Sequence, residues 1–271
     1  MTPPRVGSDP YLLNTHGGEL EGQPIAFSHR GFSPHGEENT LRAFRAAWEL
    51  GFRYLETDVH TSADGVLMVF HDETLLRVAG VSGKISDYTA AQLAAFRVAG
   101  EGIPTFEQLL VEFPQAHINV DLKDGQSAAH LAALLEKHRA HDRVLVASFS
   151  GAHQAAAQKM LSRPVATSPG FVGVAAATLL GKVMRLPKLG LGGFAALQVP
   201  ESQGKFPVVT QRFIRRAHAA GIQVHVWVVN EAPDMHRLLD LGVDGIMSDR
   251  ADTLAAVMRQ RGHWPQNQFT A

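Results

Sequence analysis

Arg53-Tyr54-Leu55-Glu56-Thr57-Asp58-Val59 and His117-Ile118-Asn119-Val120-Asp121-Leu122-Lys123 decide how this chain folds. Each is a short run with the period of two of a β-strand. Glu56 and Asp58 fall on one face, with Leu55, Thr57 and Val59 on the other. Asn119, Asp121 and Lys123 likewise share a face opposite Ile118, Val120 and Leu122. Parallel strands are covered on both sides, so charges inside them are costly unless they serve a site. The charges cluster at the carboxyl ends of both runs, which places that site at one end of the sheet.

Outward from these two runs a rhythm repeats. Further strands are predicted at 25–29, 143–149, 164–168, 194–199, 222–229 and 243–247. Helical segments fall near 40–50, 105–112, 127–141, 151–161, 174–185, 210–220, 232–241 and 250–260. Asn39-Thr40, Thr105 and Thr210 are start signals, and Gly51, Gly221 and Gly242 stand where helices stop. Eight β-then-α units predict an α/β fold, a (β/α)8 TIM barrel. The competing doubly wound sheet calls for a Gly-rich phosphate loop after the first strand, where this chain has Ser28-His29-Arg30-Gly31. Residues 60–104 interrupt the rhythm as an insertion after the second strand, with a hairpin turning at Gly65. We divide the chain into a peripheral N-terminal segment, 1–22, one barrel domain, 23–262, and a C-terminal tail, 263–271.

Composition narrows the function. The 271 residues are 45% hydrophobic and 19% charged, enough apolar material for a packed core. Lys plus Arg number 25 against 26 Asp plus Glu, so the basic excess of a nucleic-acid binder is missing. Cysteine is absent, which excludes thiolate metal sites, iron–sulfur clusters and cysteine nucleophiles. The first 22 residues carry no apolar leader, and 164–181 is too broken by Pro and Gly to span a bilayer; a cytoplasmic location is the expectation.

The chemistry converges at the strand ends. Glu56, Asp58 and Asp121 cannot all stay ionised at close range without a compensating cation. All-oxygen ligation suits a hard divalent ion, Mg²⁺ or Ca²⁺, with Mn²⁺ as a third choice. Arg30 and Lys123 add positive charge, and together with a metal they form an anion clamp for which phosphate is the natural ligand. His29 and His71 supply groups that exchange protons near neutral pH. The chain has fourteen histidines, so most are incidental; His117 and His236 are read as packing residues and His225 as a hydrogen-bonded core histidine. Asp72 and Glu73 are read as loop caps, and Asn39 or Thr40 as the cap of the first helix. Trp227 is either barrel filler or a wall against substrate, and Asn230 either touches substrate or starts a helix.

In order along the chain, His29-Arg30-Gly31, Glu38-Asn39-Thr40-Leu41, Glu56-Thr57-Asp58-Val59, Asp64-Gly65 and His71-Asp72-Glu73-Thr74-Leu75 resemble the glycerophosphodiester phosphodiesterase family. Ile103-Pro104-Thr105, His225-Val226-Trp227 with Asn230, and Asp244-Gly245-Ile246 extend the resemblance over roughly 24–255. It implies a metal-dependent barrel that hydrolyses glycerophosphodiesters to glycerol 3-phosphate and an alcohol. Carried over by position, Glu56 and Asp58 ligate the metal, His29 and His71 are the acid–base pair, Arg30 and Lys123 hold the phosphate, and Trp227 walls the glycerol. Three positions depart from the family pattern: Asp121 stands where Glu is usual, Glu37 where Pro is common, and Val228 where Thr is frequent.

Other readings remain beside this one. A lysophospholipase D would keep the chemistry and add an acyl chain. The apolar segment 169–193, flanked by Lys182, Arg185 and Lys188, would then meet lipid as a peripheral membrane contact. A non-catalytic headgroup-binding barrel belongs to a different class, and retention of both histidines and all three carboxylates argues against it. A zinc amidohydrolase would need HxH on the first strand. A glycosidase would need carboxylates flanking the bond rather than Glu56 and Asp58 on one strand.

Overall fold

The computed structural model describes residues 6–15, 17–179 and 193–266. The chain runs β1 (Ile25–His29), α1 (Leu41–Leu50), β2 (Tyr54–Thr61), and then the insertion. The insertion holds β3 (Leu67–Val69), α2 (Leu76–Ala79), a 3-10 turn at Ile85–Asp87, α3 (Ala90–Ala95), β4 (Arg97–Val98) and β5 (Glu101–Gly102). It is followed by α4 (Phe106–Glu112), β6 (His117–Leu122), α5 (Ser127–His138), β7 (Val144–Ala147), α6 (Gly151–Met160), β8 (Ala166–Thr167) and α7 (Phe171–Leu179). After 193 come β9 (Ala196–Pro200), the hairpin strands β10 (Ser202–Gln203) and β11 (Phe206–Pro207), and α8 (Gln211–His218). The last elements are β12 (Gln223–Trp227), α9 (Ala232–Leu241), β13 (Gly245–Ser248) and α10 (Ala251–Gln260).

Eight parallel strands pair in the order β8-β7-β6-β2-β1-β13-β12-β9. The gap between β8 and β9 is bridged by the Ala195 N–H donating to the Thr167 carbonyl at 2.9 Å, so the sheet nearly closes into the expected barrel. Residues facing outward from the strands, such as Ala26, Leu55, Ile118, Val146, Leu197 and Val226, pack under the helices in one large apolar cluster. Truncating one of them, Leu55→Ala for example, would cost about 2–5 kcal/mol. Helix α1 shows why the elements start and stop where they do. The Thr40 hydroxyl accepts from the Ala43 N–H, Gly51 closes the helix in the left-handed region, and Ala43, Phe44 and Ala47 are buried. Inside the barrel, a Cβ on Gly245 would come within 2.9 Å of the His225 and Phe27 rings, so only glycine fits.

The described residues before β1 and after α10, which belong to the stretches the sequence sets apart as periphery and tail, are built into the closed end of the barrel. Tyr11, Leu12 and Leu20 are buried against Ile25, Phe27, Tyr54, Leu145, Ala166 and Met247. The Tyr54 hydroxyl donates to the Tyr11 carbonyl at 2.7 Å and accepts from the Leu13 N–H at 2.8 Å. Gln223 donates to Asn14 at 2.8 Å and to the Val6 carbonyl at 2.9 Å. Gln266, also buried, accepts from the Ala26 N–H at 3.2 Å and donates to the Pro24 carbonyl at 2.9 Å. The physical reason is geometric: a barrel has two ends, and the end without the site must still be covered. Among the described residues no helix is long and apolar enough to cross a membrane.

Candidate active site

The register of β2 and β6 aligns Tyr54 with His117, Glu56 with Asn119 and Asp58 with Asp121, so both charged rows face the interior as the alternation predicts. β1 sets His29 beside Glu56 on the other side. His71 arrives from the insertion. β3 runs antiparallel to β2, and the Phe70 N–H continues that ladder to the Asp58 carbonyl at 3.0 Å, which delivers the next residue to the site. His60 donates from Nε2 to the His71 carbonyl at 3.0 Å and pins the same backbone. His29, Arg30, Glu56, Asp58, His71, Asp121, Lys123 and Trp227, every site residue expected from the sequence, line one cavity of about 970 Å³.

Asp58 is the electrostatic centre. Lys123 Nζ lies 2.8 Å from Asp58 Oδ1 and 2.6 Å from Asp121 Oδ2, and Arg30 Nε lies 3.2 Å from Asp58 Oδ2. Burial alone would raise the Asp58 carboxyl, but Lys123 and then Arg30 outweigh it and hold Asp58 below its usual range. The same two carboxylates, Asp58 first, hold the Lys123 ammonium above its usual range against its own burial. Glu56 goes the other way: burial and then the neighbouring Asp58 charge push it up. Burial likewise raises Asp121 in spite of Lys123.

Each histidine is backed by a carboxylate. His29 Nδ1 is 2.5 Å from Asp249 Oδ1, and its Nε2 faces Glu56 at 3.7 Å. Burial would lower His29, yet Glu56 and the Asp249 hydrogen bond raise it. Asp249 is itself held by the Asn230 amide, which donates at 3.0 Å. His71 Nδ1 is 2.6 Å from Asp72 Oδ1. A carboxylate only accepts, so in each pair the imidazole donates from Nδ1, the tautomer in which Nε2 is the nitrogen able to take up a proton.

These partners are what the sequence reading missed. Asp72, read as a loop cap, orients His71. Asn39, read as a cap, donates to Asp58 at 3.2 Å and accepts from the Thr57 hydroxyl at 2.8 Å, while Thr40 alone caps α1. Arg30 and Asn39 both sit in the left-handed region, at φ 56° and 58°, the backbone strain that functional loops carry. Gly31 follows at φ 81°, where a Cβ would lie 2.6 Å from the Ala43 backbone. Asn230 reaches Asp249 and Ser248. His225 is buried, with Nε2 3.0 Å from Gln223 Oε1, the packed core histidine that was expected.

The donor chemistry suits a hard cation. Glu56, Asp58 and Asp121 set three carboxyl groups against the two cations Arg30 and Lys123, and buried Asp121 Oδ1 has no hydrogen-bond partner among the described residues. Among the described residues no three such side chains converge tightly enough to chelate as they stand. The Lys123 ammonium lies between Asp58 and Asp121.

Above the charged floor the cavity wall turns apolar, with Phe149, Val174, Ala177, Phe206, Val208 and Phe213. Phe149 meets Trp227 edge-on, with ring centres 6.3 Å apart, and Lys123 Nζ lies 5.7 Å from the Phe149 ring centre.

The sequence profile of the glycerophosphoryl diester phosphodiesterase family matches residues 29–253. A Mycobacterium tuberculosis protein named probable glycerophosphodiester phosphodiesterase 2 is 39% identical over 263 residues, covering 92% of this chain and 94% of its own. A Homo sapiens protein named lysophospholipase D is 26% identical over 262 residues, covering 82% of each chain. The fold is shared with an Oleispira antarctica phosphodiesterase solved in complex with the product sn-glycerol-3-phosphate. That match has a TM-score of 0.73 and 23% identity, and covers 89% of this chain and 99% of that one.

Proposed function

The chain belongs to the glycerophosphoryl diester phosphodiesterase family, a family of phosphoric diester hydrolases, and from that premise we propose how its cavity cleaves a glycerophosphodiester. The observation that carries the reading is the pairing of two carboxylate-backed imidazoles with the Arg30 and Lys123 cations around one buried floor.

Arg30 and Lys123 hold the phosphate. Glu56, Asp58 and Asp121 would hold a divalent cation, which when bound would supply Lewis-acid stabilisation of charge on the phosphate oxygens. One histidine takes a proton from the attacking hydroxyl, and the other gives a proton to the leaving alcohol oxygen as the P–O bond breaks. Asp249 and Asp72 fix the tautomers that make this exchange productive. The attacking group is either a neighbouring glycerol hydroxyl, giving a cyclic phosphate that water then opens, or water itself; the family favours the first. Trp227, at the end of β12, walls the glycerol.

The test is release of glycerol 3-phosphate from glycerophosphocholine by protein stripped with EDTA and then given Mg²⁺, Ca²⁺ or Mn²⁺. Restoration by one ion, absent in Glu56→Ala, supports the assignment. Activity indifferent to chelation removes the cation from it.

A second reading is favoured by the apolar wall, which a small polar headgroup does not need. Phe206, on β11, is 79% exposed and Phe149 62% exposed, both at the cavity. An acyl chain laid along them would make lysophospholipids substrates, as the name of the human relative suggests. The membrane contact expected of 169–193 lies partly outside the described residues, since 180–192 are not among them. Lysophosphatidylcholine turned over with a higher kcat/KM than glycerophosphocholine, and falling selectively in Phe206→Ser, would establish this reading. Equal or lower turnover would remove it.

A further inference from the structure

Arg77, in α2 of the insertion, does not line the cavity, yet through Asp72 and Glu38 its guanidinium links two residues that do, His71 and Arg30. Its Nε and Nη2 donate to Asp72 Oδ2 and Oδ1 at 2.6 and 2.9 Å. Its Nη1 and Nη2 donate to Glu38 Oε2 and Oε1 at 2.9 and 2.7 Å. Asp72 accepts from His71 Nδ1 at 2.6 Å, and Glu38 accepts from Arg30 Nη1 at 3.1 Å. An unbroken line thus runs His71–Asp72–Arg77–Glu38–Arg30. It starts in the insertion and ends in the turn after β1, two segments that are 41 residues apart in sequence between Arg30 and His71.

Both contacts of Arg77 are fork-on-carboxylate pairs, the arrangement that fixes orientation as well as distance. The side chain is 48% exposed, and an exposed ion pair contributes little to folding stability. What the network does fix is the separation of two groups that must act on one substrate. We propose that Arg77 is a positioning residue that holds the proton-transfer group His71 and the phosphate-binding group Arg30 in register across the site. This rests on the roles given to His71 and Arg30 above. A displacement of about 1 Å in such a group costs on the order of a hundredfold in rate.

The experiment compares Arg77→Met, Arg77→Lys, Asp72→Asn, His71→Ala and the Arg77→Met/His71→Ala double variant. It measures kcat and KM on glycerophosphocholine, with thermal midpoints for each protein. Arg77→Met is expected to lose about 10- to 100-fold in kcat, with a smaller rise in KM and a midpoint within about 2 °C of the parent. Arg77→Lys keeps the charge without the fork and is expected to fall with it, and Asp72→Asn cuts the same link from the other side. In the His71→Ala background Arg77→Met is expected to cost less than about threefold, because its effect passes through His71.

A parent-like Arg77→Met, full activity in Arg77→Lys, or the same loss in both backgrounds overturns the proposal. So does a large fall in the Arg77→Met midpoint, which would make the residue structural. A nearly active His71→Ala instead sinks the acid–base assignment itself, a result distinct from the failure of Arg77.

Discussion

The interior rows of the barrel change character as they climb. β2 passes from Tyr54 to Glu56 to Asp58, β6 from His117 to Asn119 to Asp121, and β12 from Gln223 to His225 to Trp227. At the closed end the polar groups of these rows are matched, although the Tyr11 hydroxyl beneath them has no partner among the described residues. The Tyr54 hydroxyl uses both its donor and its acceptor, His117 Nδ1 donates to the Tyr11 carbonyl at 2.9 Å, and Asn14 pairs with Gln223. At the open end the groups are as deeply buried, but the charges do not balance: Glu56 is pushed up and Asp121 Oδ1 is unpaired among the described residues. The contrast teaches that burial is tolerable for polar groups once satisfied. A site is where the same framework leaves them short of partners, so that a ligand completes them.

The sharpest way to break that contrast is to remove a histidine from the open end. His29→Ala and His71→Ala should each lower kcat by about 10²- to 10⁴-fold with little change in unfolding, measured by steady-state kinetics beside a urea titration. The mirror-image change is Tyr11→Ala at the closed end. It should cost about 3–5 kcal/mol of stability while kcat per folded molecule stays at the parent value. If Tyr11→Ala slowed catalysis in the folded protein, the two ends would not be separable.

A pH experiment sharpens the comparison. Burial, resisted by the hydrogen bond to Tyr11, depresses His117 to about 4 from 6.5. Between those values the unfolded chain binds the extra proton, so stability is fully present above pH 6.5 and is lost as pH falls through about 4. The loss is at most about 3 kcal/mol. Comparing denaturant midpoints at pH 7 and 4 should show a smaller fall in His117→Asn than in the parent. The smallest effects come from two hydroxyls. Tyr54→Phe strands the partners of its hydroxyl and should cost about 1–3 kcal/mol. Tyr11→Phe should be neutral or slightly stabilising, because the Tyr11 hydroxyl is buried with no hydrogen-bond partner among the described residues.

Periodicity carried the reading of this fold a long way, and its limits are equally plain. All eight barrel strands lie where alternation placed them, and helix α9 spans Ala232–Leu241 as expected. Glu56, Asp58 and Asp121 were legible because a strand dictates where each side chain points. Asp249, Asn39, Glu38 and Arg77 lie in loops or in a single helical turn, where no repeat fixes direction; their roles depend on contacts between distant segments. The closed end was missed for a related reason. Tyr11-Leu12-Leu13 is the one apolar cluster in a stretch otherwise rich in Gly, Pro and polar residues, with Leu20 alone beyond it. A plug needs only a few apolar side chains and no regular element, so it leaves no periodic trace.

Val6 and Gln266 both anchor at the closed end of the barrel, Val6 through its carbonyl to Gln223 and Gln266 to the Pro24 carbonyl, and neither lines the cavity. A tether to a solid support attached within 6–15 or 263–266 would therefore hold the protein by the face opposite the mouth. Immobilised in that way, the protein would present its open end to the surrounding solution.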